Sequence, residues 1–128
     1  MRLLLDTHIL FWAIMDVPKL SPTATAALQD PNNQVLVSVA SAWEMAIKVG
    51  LSKWPEAANL VAHFDAEIAK AKFALLPITI PHVRTAGLMQ AAHRDPFDRL
   101  LAAQAQVEGL SLVTADPKLA GLGATILS

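Results

Sequence analysis

The sequence predicts an α/β fold in which a parallel sheet lies between layers of helices. Short runs of consecutive apolar residues, such as Leu3–Leu5, are typical of strands that are buried on both faces, as in parallel sheets. Segments with helical spacing separate these runs, so successive strands need crossover connections. The chain has 128 residues, which is enough to bury a single core. We therefore expect residues 1–128 to form one domain.

Two strands and three helices are predicted in the first half of the chain. In chain order they are strand 3–5, helix 7–15, helix 23–29, strand 34–38 and helix 39–49. Ser21 followed by Pro22 has the form of an N-cap and a first helical residue, because proline lacks the N–H that this position leaves unused. Asp30 and Pro31 begin the turn before the second strand. Gly50 is expected to end the third helix.

The second half of the chain adds three predicted strands and three helices. In chain order they are helix 56–72, strand 73–76, helix 83–92, helix 96–108, strand 110–114 and strand 124–127. Helix 56–72 is amphipathic, with its charges on one side. Pro77 leaves a helix end as the competing interpretation of residues 73–76. Asp95 before Pro96 repeats the pattern of cap and proline, and Gly109 ends the helix that they open.

Composition excludes several classes of protein. The 10 Lys and Arg residues and 11 Asp and Glu residues give a net charge of -1 without a basic run, so any contact with phosphates would be local. The absence of cysteine removes disulfides and thiolate chemistry, and we expect a reducing, cytoplasmic environment. Asp6 and Asp16 interrupt the N-terminal apolar runs, which argues against a signal peptide or a spanning helix. Hydrophobic residues make up 54% of the chain, so apolar surface remains for a partner.

Five of the eleven acidic residues share a type of location. They follow a buried strand, or they open or occupy an apolar helix, and they are Asp6, Glu44, Asp95, Asp98 and Asp116. Each has a purely structural explanation, because aspartates cap helices and Glu44 can pair with the lysine four residues on. If the sheet is parallel, however, Asp6 and Asp116 leave the same edge, where open α/β sheets bind ligands. The helix entrance that carries Asp95 and Asp98 can face them there.

Carboxylates gathered at one edge would repel one another and would need a cation. Oxygen ligands without cysteine suit Mg²⁺ or Mn²⁺, which bridge to phosphate oxygens and can activate water against a phosphodiester. Arg94 and Arg99 flank the acids and either neutralise phosphates or lie on an exposed helix face. His8 and His93 are close enough in sequence to be considered as ligands, although a hydrogen-bonded histidine is the simpler interpretation of each.

These residues resemble the PIN domain in its VapC-like toxin form. The resemblance is carried by the strand that ends in Asp6-Thr7, by Glu44 after the second strand, by residues 95–105 and by residues 113–116. It covers essentially the whole chain, and the four motifs in this order are distinctive together although none is specific alone. The resemblance implies a three-layer α/β/α sandwich with a central parallel sheet. It also implies an endoribonuclease that depends on Mg²⁺ or Mn²⁺.

The resemblance assigns a role to each matching residue. The four acids of the family fall on Asp6, Glu44, Asp98 and Asp116, and Asp6 and Asp98 are then the principal metal ligands. The accessory candidates are Asp95, an acid found in a subset of such sequences, Thr114, a hydroxyl before the last acid, and Arg99, which flanks the acids. The implied partners are an RNA substrate, a cognate antitoxin that covers the acidic groove and a second copy of the chain in a homodimer.

Three other functions stay open on the sequence. A phosphatase resembling the haloacid dehalogenase family would use Asp6 as its nucleophile, but it needs a second aspartate where this chain has His8. A phospho-receiver module needs an aspartate at the end of the middle strand, where this chain offers Ser38 or Pro77. A PIN-like scaffold would bind RNA or protein without cutting it, and the retention of all four acids argues against that function.

Overall fold

A parallel sheet is the centre of the computed structural model, which describes residues 1–90 and 93–128. The described residues form the strands β1 (Arg2–Leu5), β2 (Gln34–Ser38), β3 (Ala74–Leu76), β4 (Ser111–Val113) and β5 (Thr125–Leu127). Their order across the sheet is β3-β2-β1-β4-β5, and every neighbouring pair is parallel. The predicted parallel sheet is therefore confirmed, with β1 in the middle.

Helices connect the strands and cover both faces of the sheet. They are α1 (Thr7–Met15), α2 (Pro22–Gln29), α3 (Val39–Gly50), α4 (Ala58–Ala62), α5 (Phe64–Lys70), α6 (Ile80–Leu88) and α7 (Pro96–Glu108). Short 3₁₀ turns lie between these elements at Val17–Lys19, Pro55–Ala57 and Pro117–Leu122. Among the described residues, no helix has the length and apolar character needed to span a membrane.

The central strand shows how the three layers are built. Leu3 and Leu5 pack into an apolar cluster with residues of α1, α3, α4 and α5, whereas Leu4 packs on the other face against Leu101 of α7. The three leucines of β1 are fully buried, which is worth about 2 kcal/mol for each side chain. Alternate side chains of one buried strand thus hold a helical layer on each face, and the predicted three-layer sandwich is confirmed.

Several predicted elements differ from the structure in detail. The segment predicted as helix 56–72 is interrupted at His63, whose backbone leaves the helical region with a φ of -123°. Gly50 is the last residue of α3 rather than its stop, and Leu51 caps the helix. The strand interpretation of residues 73–76 is confirmed, since Ala74–Leu76 pair with β2. The helix predicted over 83–92 begins earlier and ends at Leu88, and residues 91 and 92 lie outside the described part of the chain.

The topology places the carboxyl ends of all five strands at one edge of the sheet. Asp6 directly follows β1, and Thr114 directly follows β4 beside it. Helix α3 leaves the end of β2 and carries Glu44, while α7 packs against both α3 and β4. The edge at which the sequence places a ligand site is therefore formed by four segments, namely the end of β1, α3, α7 and the end of β4.

Candidate active site

Asp6 is held at the end of the central strand by two hydrogen bonds, one to each of its carboxylate oxygens. Its Oδ1 accepts from the backbone N–H of Thr7 at 2.7 Å, and its Oδ2 accepts from the hydroxyl of Thr114 at 2.7 Å. Only 8% of the residue is exposed. Burial raises the pKa of Asp6, and the hydrogen bonds from Thr114 and Thr7 act in the opposite direction. Asp6 is thus both the N-cap of α1 and a polar group facing the site.

Thr114 connects two of the candidate acids. Its hydroxyl donates to Asp6 and accepts from the backbone N–H of Asp116 at 3.0 Å, and the residue is 1% exposed. Asp116 accepts in turn from the N–H of Lys118 at 3.0 Å, which caps the 3₁₀ turn that follows. A hydroxyl at this position therefore fixes the orientation of one acid and the backbone of the other.

Glu44 reaches the site from the second turn of α3 and is 6% exposed. Its Oε1 accepts from the hydroxyl of Thr7 at 2.7 Å, and that hydroxyl also lies 3.0 Å from the Oγ of Ser41. Its Oε2 lies 3.1 Å from the Nζ of Lys48, so the ion pair anticipated from the sequence is present. Pairing with Lys48 does not remove Glu44 from the site, because both side chains line the same pocket.

Asp98 and Asp95 occupy the entrance of α7. Asp95 is the N-cap, as predicted, and its Oδ1 accepts from the backbone N–H groups of Phe97 at 2.9 Å and Asp98 at 3.3 Å. The Oδ2 of Asp98 lies 2.7 Å from the Nε2 of His93. Burial raises the pKa of Asp98, the hydrogen bond with His93 lowers it, and the charges of Asp95 and Asp6 add to the increase, so that the pKa is about 6.

These acids surround one pocket of about 330 Å³ at the carboxyl edge of the sheet. The side chains that line it are those of Asp6, His8, Trp12, Glu44, Lys48, Asp95, Asp98, Ala115 and Asp116. All five acids that the sequence singled out are therefore brought together. The sequence analysis missed Lys48 as a pocket residue, because it treated that lysine only as an ion-pair partner, and it missed Trp12. The spacing of Asp6, His8 and Trp12 along the first turns of α1 could have indicated their shared position.

The guanidinium of Arg99 contacts the segment before α7. It donates to the backbone oxygens of Ala86 at 3.2 Å, His93 at 3.0 Å and Met89 at 2.7 Å. These bonds tie the end of α6 and the residue that contacts Asp98 to the first turn of α7. Arg94, the other arginine that flanks the acids, is exposed.

The donor set fits a hard divalent cation in its chemistry. Its ligand atoms are carboxylate oxygens, which Mg²⁺ and Mn²⁺ prefer. Burial and mutual repulsion disfavour the ionised forms of Asp6 and Asp98, and a cation would reverse that effect. Within residues 1–90 and 93–128, however, no three acidic or histidine side chains converge closely enough to form a complete coordination shell.

Comparisons with known proteins agree with this architecture. The family model described as PIN domain matches residues 3–124. The fold is similar to that in the crystal structure of VapBC2 from Rickettsia felis bound to a DNA fragment from their promoter, with 19% identity, a TM-score of 0.73 and coverage of 99% of this chain and 98% of that chain. No curated protein matches the chain significantly.

Two further solved structures have the same fold. VapBC-1 from nontypeable Haemophilus influenzae is 18% identical, with a TM-score of 0.68 and coverage of 100% of this chain and 98% of that chain. A toxin-antitoxin complex from Klebsiella pneumoniae is 21% identical, with a TM-score of 0.58 and coverage of 98% and 95%. The likeness extends over the full length of each chain, and at these identities it concerns the fold.

Proposed function

This chain belongs to the PIN domain family, and on that basis we propose that it is a divalent-metal-dependent endoribonuclease and the toxin of a toxin-antitoxin pair. The observation that carries the proposal is the convergence of Asp6, Glu44, Asp98 and Asp116 on one pocket at the carboxyl edge of the sheet. We also propose that residues 1–128 form a single PIN-like domain.

Asp6 and Asp98 would hold Mg²⁺ or Mn²⁺, and Glu44 and Asp116 would complete the site. When bound, such an ion activates water and stabilises the leaving oxygen of a phosphodiester. The acid at the N-cap of α7, Asp95, adds to the negative charge that attracts the ion.

The remaining polar groups hold these carboxylates in place before any ligand arrives. Thr114 and the N–H of Thr7 hold Asp6, and the Thr7 hydroxyl holds Glu44. Such preorganisation reduces the rearrangement needed when charge develops during the reaction. The ammonium of Lys48 offsets one of the negative charges that would repel an approaching phosphate.

The proposed partners follow from the fold and the composition. The Klebsiella structure is a toxin-antitoxin complex, and we extend this to a cognate antitoxin protein for the present chain. A homodimer and a cytoplasmic location complete the proposal, since the chain has a high apolar content and no cysteine. With a net charge of -1, RNA recognition depends on a few local contacts.

The test is cleavage of mixed single-stranded RNA by the purified chain with Mn²⁺ or Mg²⁺, beside an EDTA control. Asp98→Asn should lower cleavage by at least about 100-fold, more than the loss of a group that only orients a ligand. Asp65→Asn is the matched control, because Asp65 is an exposed acid on α5, and it should cleave like the wild type.

Circular dichroism must show that each variant folds. Cleavage that persists in EDTA, or in folded Asp98→Asn, would contradict the proposal. If the folded wild type cuts no RNA with either metal, the proposal is contradicted, and Asp6, Asp95 and Asp116 keep only the capping roles that the structure shows.

A further inference from the structure

An aromatic groove of about 530 Å³ lies beside the acidic pocket. His8 and Trp12 line both cavities, so the groove continues directly from the acids. Phe11 and Trp54 form much of the rest of its wall. A molecule that places one group among the carboxylates can therefore extend a neighbouring group into aromatic surroundings.

The rings in the groove are arranged around Trp54. The ring of His8 stacks on Trp54 with 4.8 Å between centroids and 22° between planes, and Phe11 lies 4.9 Å from the same indole. Trp12 stands 6.0 Å from His8 at an angle of 55°. His8 is exposed, whereas Trp54 is partly buried. The stack therefore combines the indole of Trp54, which is held by Phe11, with the exposed imidazole of His8.

Lys48 stands between this stack and the acids. Its Nζ lies 3.1 Å from Glu44 and 5.6 Å from the centroid of the Trp54 ring. Asp16, Lys19 and Glu56 also line the groove, and Lys19 lies 3.8 Å from Asp16. The groove itself thus disfavours a phosphate, and the positive charge of Lys48 lies at the junction with the acidic pocket.

The aromatic rings and the ammonium of Lys48 match the base and the phosphate of a single nucleotide. Uncharged bases stack on aromatic rings with little dependence on sequence, and a lysine ammonium pairs with a phosphate as a point charge. We propose that the His8–Trp54 stack and Lys48 form a subsite for one nucleotide of single-stranded RNA beside the phosphodiester that is cut. The base lies against the aromatic rings, and the adjoining phosphate contacts Lys48. The subsite rests on the proposed nuclease function, because it takes the acidic pocket as the place of cleavage.

The test is binding of a labelled single-stranded RNA oligomer, measured by fluorescence anisotropy in the Asp98→Asn background so that the RNA stays intact. One base at a time is removed to leave an abasic nucleotide. We expect one position at which loss of the base weakens binding by about tenfold. That positional effect should disappear with Trp54→Leu and with His8→Ala, and it should remain with Trp43→Leu, the same change at a tryptophan that is 59% exposed and packs on Phe97.

The phosphate contact has its own measurement. Lys48→Met should reduce the slope of log K against log salt by about 0.7, the value for one phosphate on a single strand. Lys70→Met is the matched control, because Lys70 is an exposed lysine in the last turn of α5, and it should leave the slope unchanged. An unchanged slope in Lys48→Met would overturn the phosphate assignment.

The outcomes separate the subsite from the nuclease. Base-dependent binding that needs His8 and Trp54, in a protein whose wild type cuts no RNA, would support a nucleotide-binding site at the His8–Trp54 stack and refute the nuclease. Metal-dependent cleavage with no positional effect of base removal would support the nuclease and overturn the subsite. Equal binding by Asp98→Asn with and without Trp54→Leu or His8→Ala overturns the subsite as well, and His8→Ala decides the matter if Trp54→Leu fails to fold. A groove that binds a protein and no RNA gives the same negative result.

Discussion

The hydroxyl of Thr114 is the single group on which the geometry of the acidic site depends most directly. It connects the carboxylate of Asp6, which follows β1, with the backbone of Asp116, which follows β4. A buried hydroxyl that donates to one polar group and accepts from another leaves both without that bond when it is removed. The role of the side chain can therefore be measured without touching an acid.

Thr114→Val keeps the shape of the side chain and removes the hydroxyl. We expect the free energy of unfolding to fall by about 1 to 3 kcal/mol and cleavage to fall by about 10- to 100-fold, as for other groups that orient a ligand. Urea unfolding and RNA cleavage measure the two effects. Thr114→Ser retains the hydroxyl and should recover most of the activity, and equal losses in both variants would show that packing alone is involved.

Asp98 gives the site a characteristic pH dependence. Burial first, and then the charges of Asp95 and Asp6, raise its pKa from 3.8 to about 6 despite the hydrogen bond from His93. The folded chain therefore binds this proton more tightly than the unfolded chain. The contribution of the protonated Asp98 carboxyl to the free energy of unfolding is complete below pH 3.8 and is lost as the pH rises through about 6.

Asp98→Asn should accordingly be more stable than the wild type near neutral pH, in the absence of divalent metal. The gain is on the order of 1 to 2 kcal/mol after allowing for the weakened His93 contact. It should vanish toward pH 3.8, where the wild-type carboxyl is protonated. Urea unfolding across this pH range provides the measurement, and Asp65→Asn should show no such trend. A variant that is less stable at every pH would contradict the assignment.

At the scale of the elements, α7 has two functions that can be separated. Its entrance carries Asp95 and Asp98, and its body carries Leu101 into the core. Gly109 ends it with a φ of 67°, a left-handed conformation that glycine adopts without strain. Helix α6 is joined to it by His82, which is fully buried and lies 2.8 Å from Glu108. The position of the acids is thus fixed by a helix that is anchored at both ends.

Two substitutions at Asp95 distinguish a helix cap from an acid that serves the site. Asp95→Ala should lower the free energy of unfolding by about 1 kcal/mol because the cap is lost. Asp95→Ser keeps a capping oxygen and should retain that stability. If Asp95 contributes charge to metal binding, both variants should require more Mn²⁺ for half-maximal cleavage. An unchanged requirement in Asp95→Ser would leave Asp95 with the capping role alone.

For the whole molecule, the sheet concentrates negative charge at one edge of a chain that is close to neutral. The acids come from the ends of β1 and β4, from α3 and from the entrance of α7, so a cation bound there would connect segments that are distant in sequence. A ligand that binds only the folded chain stabilises it according to its concentration and affinity. Metal binding should therefore be visible in global unfolding.

Mn²⁺ should raise the Tm of the wild type by several degrees. A free Mn²⁺ concentration of a hundred times Kd increases the free energy of unfolding by about 2.7 kcal/mol. The shift should be much smaller in Asp98→Asn and unchanged in Asp65→Asn. Differential scanning fluorimetry with and without EDTA measures both. A shift of equal size in Asp98→Asn would place the metal elsewhere on the chain.

Local patterns in the sequence are sufficient to predict the α/β class, the strands and the ends of α7. Buried strands appear as apolar runs in the sequence. The ends of α7 are marked by Asp95 and Pro96, which begin the helix, and by Gly109, which ends it. The sequence also selected the five acids, since their positions relative to the elements can be read along the chain. It did not predict the interruption at His63, which no proline or glycine marks.

Which side chains meet depends on how the elements pack against one another. Lys48 is four residues from Glu44 and was predicted as its partner, but its place between the acids and Trp54 depends on how α3 packs against the loop before α4. The direction of Arg99 toward backbone oxygens, and the stacking of His8 on Trp54, likewise join residues from separate elements. Such contacts result from packing across the fold, and no local pattern in the chain encodes them.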